Sequence, residues 1–201
     1  MTAAAIPKML NIPTPVDEAA ERLRVRARSV GALVMGAFGA LWSGAALALS
    51  GAPVWGWVGL AAVSAAICAR ALRLRRATPP AVEPLPRELA ERRRRGNRVF
   101  AWTSIGEGLG ILVGVNVVAN LGHPQWQPAA AMVAVGLHFL PQSTAFDYPP
   151  HRVTGVAMTA WALAYPWLFA AGAMAPAGML GAGAILLASA AWALRSATRP
   201  A

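Results

Sequence analysis

The chain has 201 residues, of which 57% are hydrophobic and only 13% charged, and it carries a formal net charge of +10. A typical soluble domain has about 25% charged residues, so there are too few charges here to wet the surface of a soluble fold. The basic excess would suggest a nucleic-acid partner in a soluble protein, but its distribution along the chain speaks against one.

The charges are segregated. No Asp, Glu, Lys or Arg lies between Arg28 and Arg70, or between Arg152 and Arg195, and between Arg98 and Asp147 the sole one is Glu107. Each block is long enough for two helices of the roughly 20 residues that cross a hydrocarbon core. The expected fold is therefore all-α: a polytopic membrane protein of six transmembrane helices preceded by an amphipathic helix, forming one integral membrane domain over 1–201. Lys8, Arg22, Arg24, Arg26 and Arg28, ten arginines from Arg70 to Arg98, then Arg152, Arg195 and Arg199 complete the basic set. With six spans all of them fall on one side, which the positive-inside bias makes cytoplasmic, together with both termini.

In chain order, residues 1–13 hold no apolar run of the kind a cleavable signal needs, since Met9-Leu10 gives way to Asn11 and two prolines. Thr14, Pro15 and Asp17 form a near-match to a capping box. Val16, Ala20, Leu23, Ala27 and Val30 then recur at helical spacing. This predicts an amphipathic helix over 14–28 lying at the cytoplasmic interface, or equally a helical extension of the first span. Spans one and two occupy 29–72, separated by Gly51-Ala52-Pro53. Cys68 stands alone, which excludes a disulfide framework, and is expected to pack as a small hydrophobe.

The connection 73–98 is the main soluble element. Its Pro-rich stretch Thr78–Pro86 cannot be regular helix. Arg87–Arg95 is predicted as a short helix ended by Gly96-Asn97 and supported by Glu88–Arg92 and Glu91–Arg95 pairs. Arg92, Arg93, Arg94 and Arg95 are expected to rest on anionic headgroups, so membrane lipids are the first expected partner.

Spans three and four occupy 99–143, with an outer loop containing His123, and spans five and six occupy 153–194. Trp55, Trp57 and Trp126 fall near the outer interface, and Trp102 and Trp192 near the inner one. Gly36, Ala40, Gly44 and Ala48 repeat every four residues in span one, as do Gly106, Gly110 and Gly114 in span three. Such ribbons serve tight helix packing or association into a homo-oligomer.

Glu107 is the only acid within the predicted spans, and intramembrane acids usually face the protein interior. Counted at 1.5 Å per residue it lies about 12 Å inside the cytoplasmic edge, and His138 lies about 15 Å from the outer edge. In a core of about 30 Å these depths agree within a turn. The short loop makes their helices neighbours, so a Glu107–His138 contact is predicted. Thr103 shares the Glu107 face and Gln142 the His138 face. Tyr165, with Trp161 a turn away, is expected to line the same mid-membrane spot. Asn116 points 180° away from Glu107.

The three histidines fall at different depths, so no metal site is expected. There is no H-E-x-x-H, nucleophile elbow or P-loop, and no cofactor or enzymatic activity is expected. Glu107-Gly108-Leu109-Gly110-Ile111 and Val135-Gly136-Leu137-His138-Phe139-Leu140-Pro141 resemble a pattern in an uncharacterised group of bacterial integral membrane proteins. That resemblance implies a six-helix bacterial membrane protein and no activity. Arginine outnumbers lysine seventeen to one, which agrees with a GC-rich bacterium and an inner-membrane location. Two functions follow as expectations: a small-solute or proton-coupled transporter using Glu107 and His138, or a non-catalytic scaffold holding lipids or partners. A water-accessible cavity at Glu107 would mark the first, and a dry, closed bundle the second.

Overall fold

The computed structural model describes residues 14–81 and 84–198. The expectations for residues 1–13, including Lys8, and for Arg199 lie outside them. Six helices fill most of the described chain, which contains no strand: α1 (Pro15–Leu49), α2 (Val54–Ala77), α3 (Arg87–Asn120), α4 (Gln127–Ala145), α5 (Pro150–Leu168) and α6 (Pro176–Ser196). Two short 3₁₀ turns, Pro124–Trp126 and Gly172–Met174, lead into α4 and α6.

α1 opens on a complete capping box. The Thr14 hydroxyl accepts from the Asp17 amide, and the Asp17 carboxylate accepts from the Thr14 amide at 3.0 Å. The chain then runs on as one helix to Leu49 instead of forming a separate interfacial helix over 14–28. No Pro interrupts it near Arg28, Gly31 is carried inside the helix, and one buried face continues through Val25, Ser29, Ala32 and Met35. The second of the two readings, a helical extension of span one, is the one observed.

A similar correction applies to α3. Gly96-Asn97 does not end a short helix, and the chain stays helical from Arg87 to Asn120. A mid-helix glycine costs about 1 kcal/mol relative to alanine. Here its small size is used, because a methyl built on Gly96 would stand 3.1 Å from the Phe146 ring. The ion pair observed on this stretch is Arg87–Glu91, at 3.0 Å. The Pro-rich stretch does separate α2 from α3. Cys68 is exposed on α2 and does not pack inside.

The helices pack in the order α2, α1, α6, α5, α4, α3, so the first and last helices meet in the middle. Close backbone approach holds that middle. A methyl on Gly183 of α6 would stand 2.7 Å from the Gly39 carbonyl of α1 and would collide with the Ser43 hydroxyl. A methyl on Gly155 of α5 would stand 2.7 Å from the Gly136 carbonyl of α4. Such contacts let helices associate where lipid provides no hydrophobic drive. Met132, Met158, Tyr165, Leu186 and Leu194 are fully buried between these four helices. In α2 only Ile67 and Ala71 are buried, and in α3 only Gly96.

α1, α2, α3 and α6 are long and apolar enough to cross a membrane. α4 and α5 have 19 residues each and carry internal prolines, Pro141 and Pro166. The basic residues gather at one end of the bundle. There Arg26 donates to the carbonyl of Thr78 at 2.9 Å and Arg28 to that of Ser196 at 2.7 Å. The connections at the other end, residues 50–53, 121–126 and 169–175, contain no charged residue.

Candidate functional site

The seam between α3 and α4 brings together four of the residues singled out by depth and face. Glu107 Oε2 lies 3.6 Å from His138 Nε2. One turn toward the basic end, Gln142 Nε2 donates to Thr103 Oγ1 at 3.0 Å. Toward the other end the helices close through small residues, with methyls on Gly110 and Gly114 reaching 3.3 Å and 3.4 Å from the Cβ atoms of Ala134 and Ala130. At that end Gln127 donates to the Val115 carbonyl at 3.4 Å. The third member of the ribbon, Gly106, has nothing within 4 Å of such a methyl and takes no part.

The imidazole is oriented by its own helix. His138 Nδ1 lies 2.6 Å from the Val135 carbonyl, and a carbonyl can only accept, so Nδ1 carries a proton. Nε2 is then the nitrogen that faces Glu107, at a distance longer than a hydrogen bond. An isolated charge is expensive in an apolar surrounding, and with one proton shared between carboxyl and imidazole the pair would carry none. The pair is largely enclosed, with 12% of the His138 side chain and 22% of the Glu107 side chain exposed.

Tyr165 and Trp161 do not join this pair. The Tyr165 hydroxyl donates to the Ala173 carbonyl at 2.9 Å, and Trp161 Nε1 donates to the Gly178 carbonyl at 2.8 Å. Both rings lie against glycines of α6, Tyr165 on Gly178 and Trp161 on Gly181. They tie α5 to the α5–α6 connection and to α6, because the turn after α5 leaves carbonyls that a buried hydroxyl or indole N–H can satisfy. Asn116 is exposed on α3, away from the Glu107 face, and its amide donates to the Leu112 carbonyl of its own helix at 2.7 Å.

The sequence reading missed a cluster at the basic end. The Arg28 guanidinium carbon stands 4.9 Å over the Tyr148 ring, within the range of a cation–π contact. The Tyr148 hydroxyl is 3.2 Å from Ser196 Oγ, and the His151 ring meets the Tyr148 ring edge-on at 4.9 Å. Asp147 takes a left-handed conformation, φ 49°, in the turn before Tyr148. Aspartate tolerates that region better than most residues. This clamp joins α1, the α4–α5 turn and the end of α6. Its one sequence signal was Arg28, the last charge before a long apolar block. His151 also comes closer to His138 than expected, since both rings pack on Phe139, at 5.5 Å and 4.2 Å. No group of three metal-ligating side chains occurs among the described residues.

Two shallow surface clefts are lined by Glu88, Glu91, Arg92 and Arg95, and by Ala66, Ala69, Arg70, Arg73, Leu74 and Ala77. Neither includes Glu107 or His138. Compared with protein-family models, with curated proteins and with solved structures, the chain matches none.

Proposed function

We propose that the protein is a six-span, non-catalytic component of a bacterial inner membrane, with both termini cytoplasmic, that acts by packing and by holding other molecules in or on the bilayer. The resemblance of the Glu107–Ile111 and Val135–Pro141 stretches and the arginine bias support the bacterial setting. The six-span reading is supported by the way α4 lies along α3. Its Gln127 meets Val115 and its Gln142 meets Thr103, so a helix that crosses with α3 crosses as α4 too. At 1.5 Å per residue, 19 residues span about 28 Å, close to the hydrocarbon thickness. Reporter fusions at Pro53, His123 and Ala175 should report the outside and fusions at Pro84 and Pro149 the cytoplasm. A cytoplasmic signal at His123 would reduce the count of spans.

The observation that carries the scaffold reading is the commitment of Glu107. This acid faces His138 at 3.6 Å, and small-residue packing above and a hydrogen bond below close the seam around it. Anionic headgroups at the cytoplasmic face are the proposed partner of Arg92, Arg93, Arg94 and Arg95, and nucleic acid has no part in this reading. The test is flux. Vesicles containing the purified protein and a trapped pH dye should acidify no faster than protein-free vesicles after an external acid step. A protein-dependent proton flux abolished by Glu107→Gln would contradict it. One observation favours the second reading, a proton-coupled permeation protein: a carboxyl and an imidazole, two groups able to take up and release a proton, face each other at 3.6 Å.

A further inference from the structure

We infer that the outward face of α3 is a self-association surface, on which a second copy of this chain pairs in parallel through Trp102, Ile105, Leu109, Leu112 and Asn116. The inference rests on the proposed crossing of α3 and names the partner of that scaffold.

Spacing is the first observation. These residues follow one another at intervals of three, four, three and four, which is the seam of a left-handed helix pair. In that register Trp102, Leu109 and Asn116 take the a positions and Ile105 and Leu112 the d positions. Wherever the bundle packs on α3 it uses the opposite side, through Gly96, Thr103, Glu107, Gly110 and Gly114. The seam is left wholly outside: Trp102 is 68% exposed, Ile105 53%, Leu109 56% and Leu112 58%. As an end member of the row of helices, α3 also offers this face without obstruction from a neighbouring helix.

Lipid tails would cover the four apolar residues well, so they do not by themselves call for a protein partner. Asn116 does. It is an exposed amide at the end of an otherwise apolar stripe, one turn before α3 ends at Asn120, and one hydrogen goes to Leu112 of its own helix. Its side-chain oxygen and second hydrogen have no partner among the described residues, and lipid tails offer them none. An amide is self-complementary, each side chain donating to the other's oxygen. Two copies with the same orientation in one membrane must pair their α3 helices in parallel, and a parallel seam sets each a position beside its equivalent. Asn116 therefore meets Asn116. A single asparagine at an a position is also the device that fixes register and oligomeric state in helix pairs. Arg98 falls on the next d position toward the basic end. Two guanidinium groups would repel there, so the seam begins at Trp102.

The test uses the full chain in lipid vesicles, with Cys68→Ser removing the native thiol. Single cysteines at Ile105, Leu109 and Leu112 should form disulfide-linked dimers on mild oxidation, while one at Val117, exposed on the flank of the helix, should not. Single-molecule photobleaching at graded protein-to-lipid ratios should show dimers. Asn116→Val should weaken them by roughly 5- to 30-fold, the range of one intramembrane hydrogen-bonded contact in model helices. Asn116→Gln should retain most of the association. Equal cross-linking at Leu109 and Val117, monomers at every ratio, or an Asn116→Val chain that dimerises unchanged would overturn the inference. The reporter fusions decide separately whether α3 crosses the membrane.

Discussion

The α1–α6 crossing and the α3–α4 seam are both helix pairs held by glycines, yet they are built to different tolerances. At Gly183 the backbones touch so closely that no side chain fits, and the residues around the crossing are buried. In the α3–α4 seam a methyl on Gly110 or Gly114 would stand 3.3 Å or 3.4 Å from an alanine Cβ, tight but without collision, and the polar links Glu107–His138 and Gln142–Thr103 bind the helix to its neighbour. The first pair draws its stability from close packing, which fails when a single carbon is added. The second draws it from a few polar contacts, the Gln142–Thr103 hydrogen bond and the looser Glu107–His138 pair, which fail when a partner is removed. The bundle therefore has a rigid middle and a helix at its edge attached by polar groups, with the opposite face of that helix free to meet another chain.

The comparison breaks most readily at the tight crossing. Gly183→Ala should lower stability in detergent by roughly 2–3 kcal/mol, the range for overpacking a core without room to relax, read by thermal unfolding. Gly155→Ala should behave similarly. Gly110→Leu should cost about 1–2 kcal/mol by pushing α3 off Ala134, whereas Gly106→Leu should change stability by less than about 0.5 kcal/mol, as expected away from packed sites. Equal losses at Gly106 and Gly183 would erase the difference between the two regions.

The polar seam is sharpened by a double-mutant cycle. His138→Ala leaves Glu107 without its partner in an apolar setting and should destabilise by roughly 1–3 kcal/mol. Glu107→Gln should cost less, since an amide can still donate to Nε2. The coupling between the two positions should be near the average of about 0.6 kcal/mol for intramembrane polar contacts and below about 1.7. A larger value would mean that the pair holds α3 more firmly than packing does.

The smallest effect belongs to the cap of α1. Hydrogen bonds from the Thr14 hydroxyl and amide hold the Asp17 carboxyl below its ordinary value of 3.8. A depressed carboxyl pKa means that the cap's contribution is fully present above that ordinary value and is lost as pH falls through the lowered one. Thr14→Ala should raise the Asp17 titration toward 3.8, followed by carboxyl titration, and should lower thermal stability slightly at neutral pH but not below the lowered pKa, where the cap is already lost.

Much of this arrangement is legible in the chain itself. Charge-free blocks mark the helices, Gly51-Ala52-Pro53 and the prolines mark the turns, and Thr14 with Asp17 marks a helix start. Depth counting brings Glu107 to His138 because a short loop leaves two consecutive helices only one way to lie. The pairing of α1 with α6 is not legible in that way. Gly39, Ser43 and Gly183 become contact residues only once helices far apart in sequence are known to meet. Local rules also mislead at Gly96, where a residue that usually ends a helix is retained inside one because Phe146 packs on it. Tyr165 and Trp161 share a face at plausible depth with the polar pair, but nearer carbonyls at the α5–α6 turn claim their hydrogens.

The most direct test of the account is water access to Glu107. In a Cys68→Ser chain reconstituted in vesicles, a cysteine replacing Glu107 should resist a membrane-impermeant thiol reagent added to either side. A cysteine replacing His123, in the uncharged turn between α3 and α4, should react promptly from one side only. Reaction at position 107 at a rate comparable to that at 123 would reveal an aqueous route to the Glu107–His138 pair and contradict the reading of a closed, polar-linked seam.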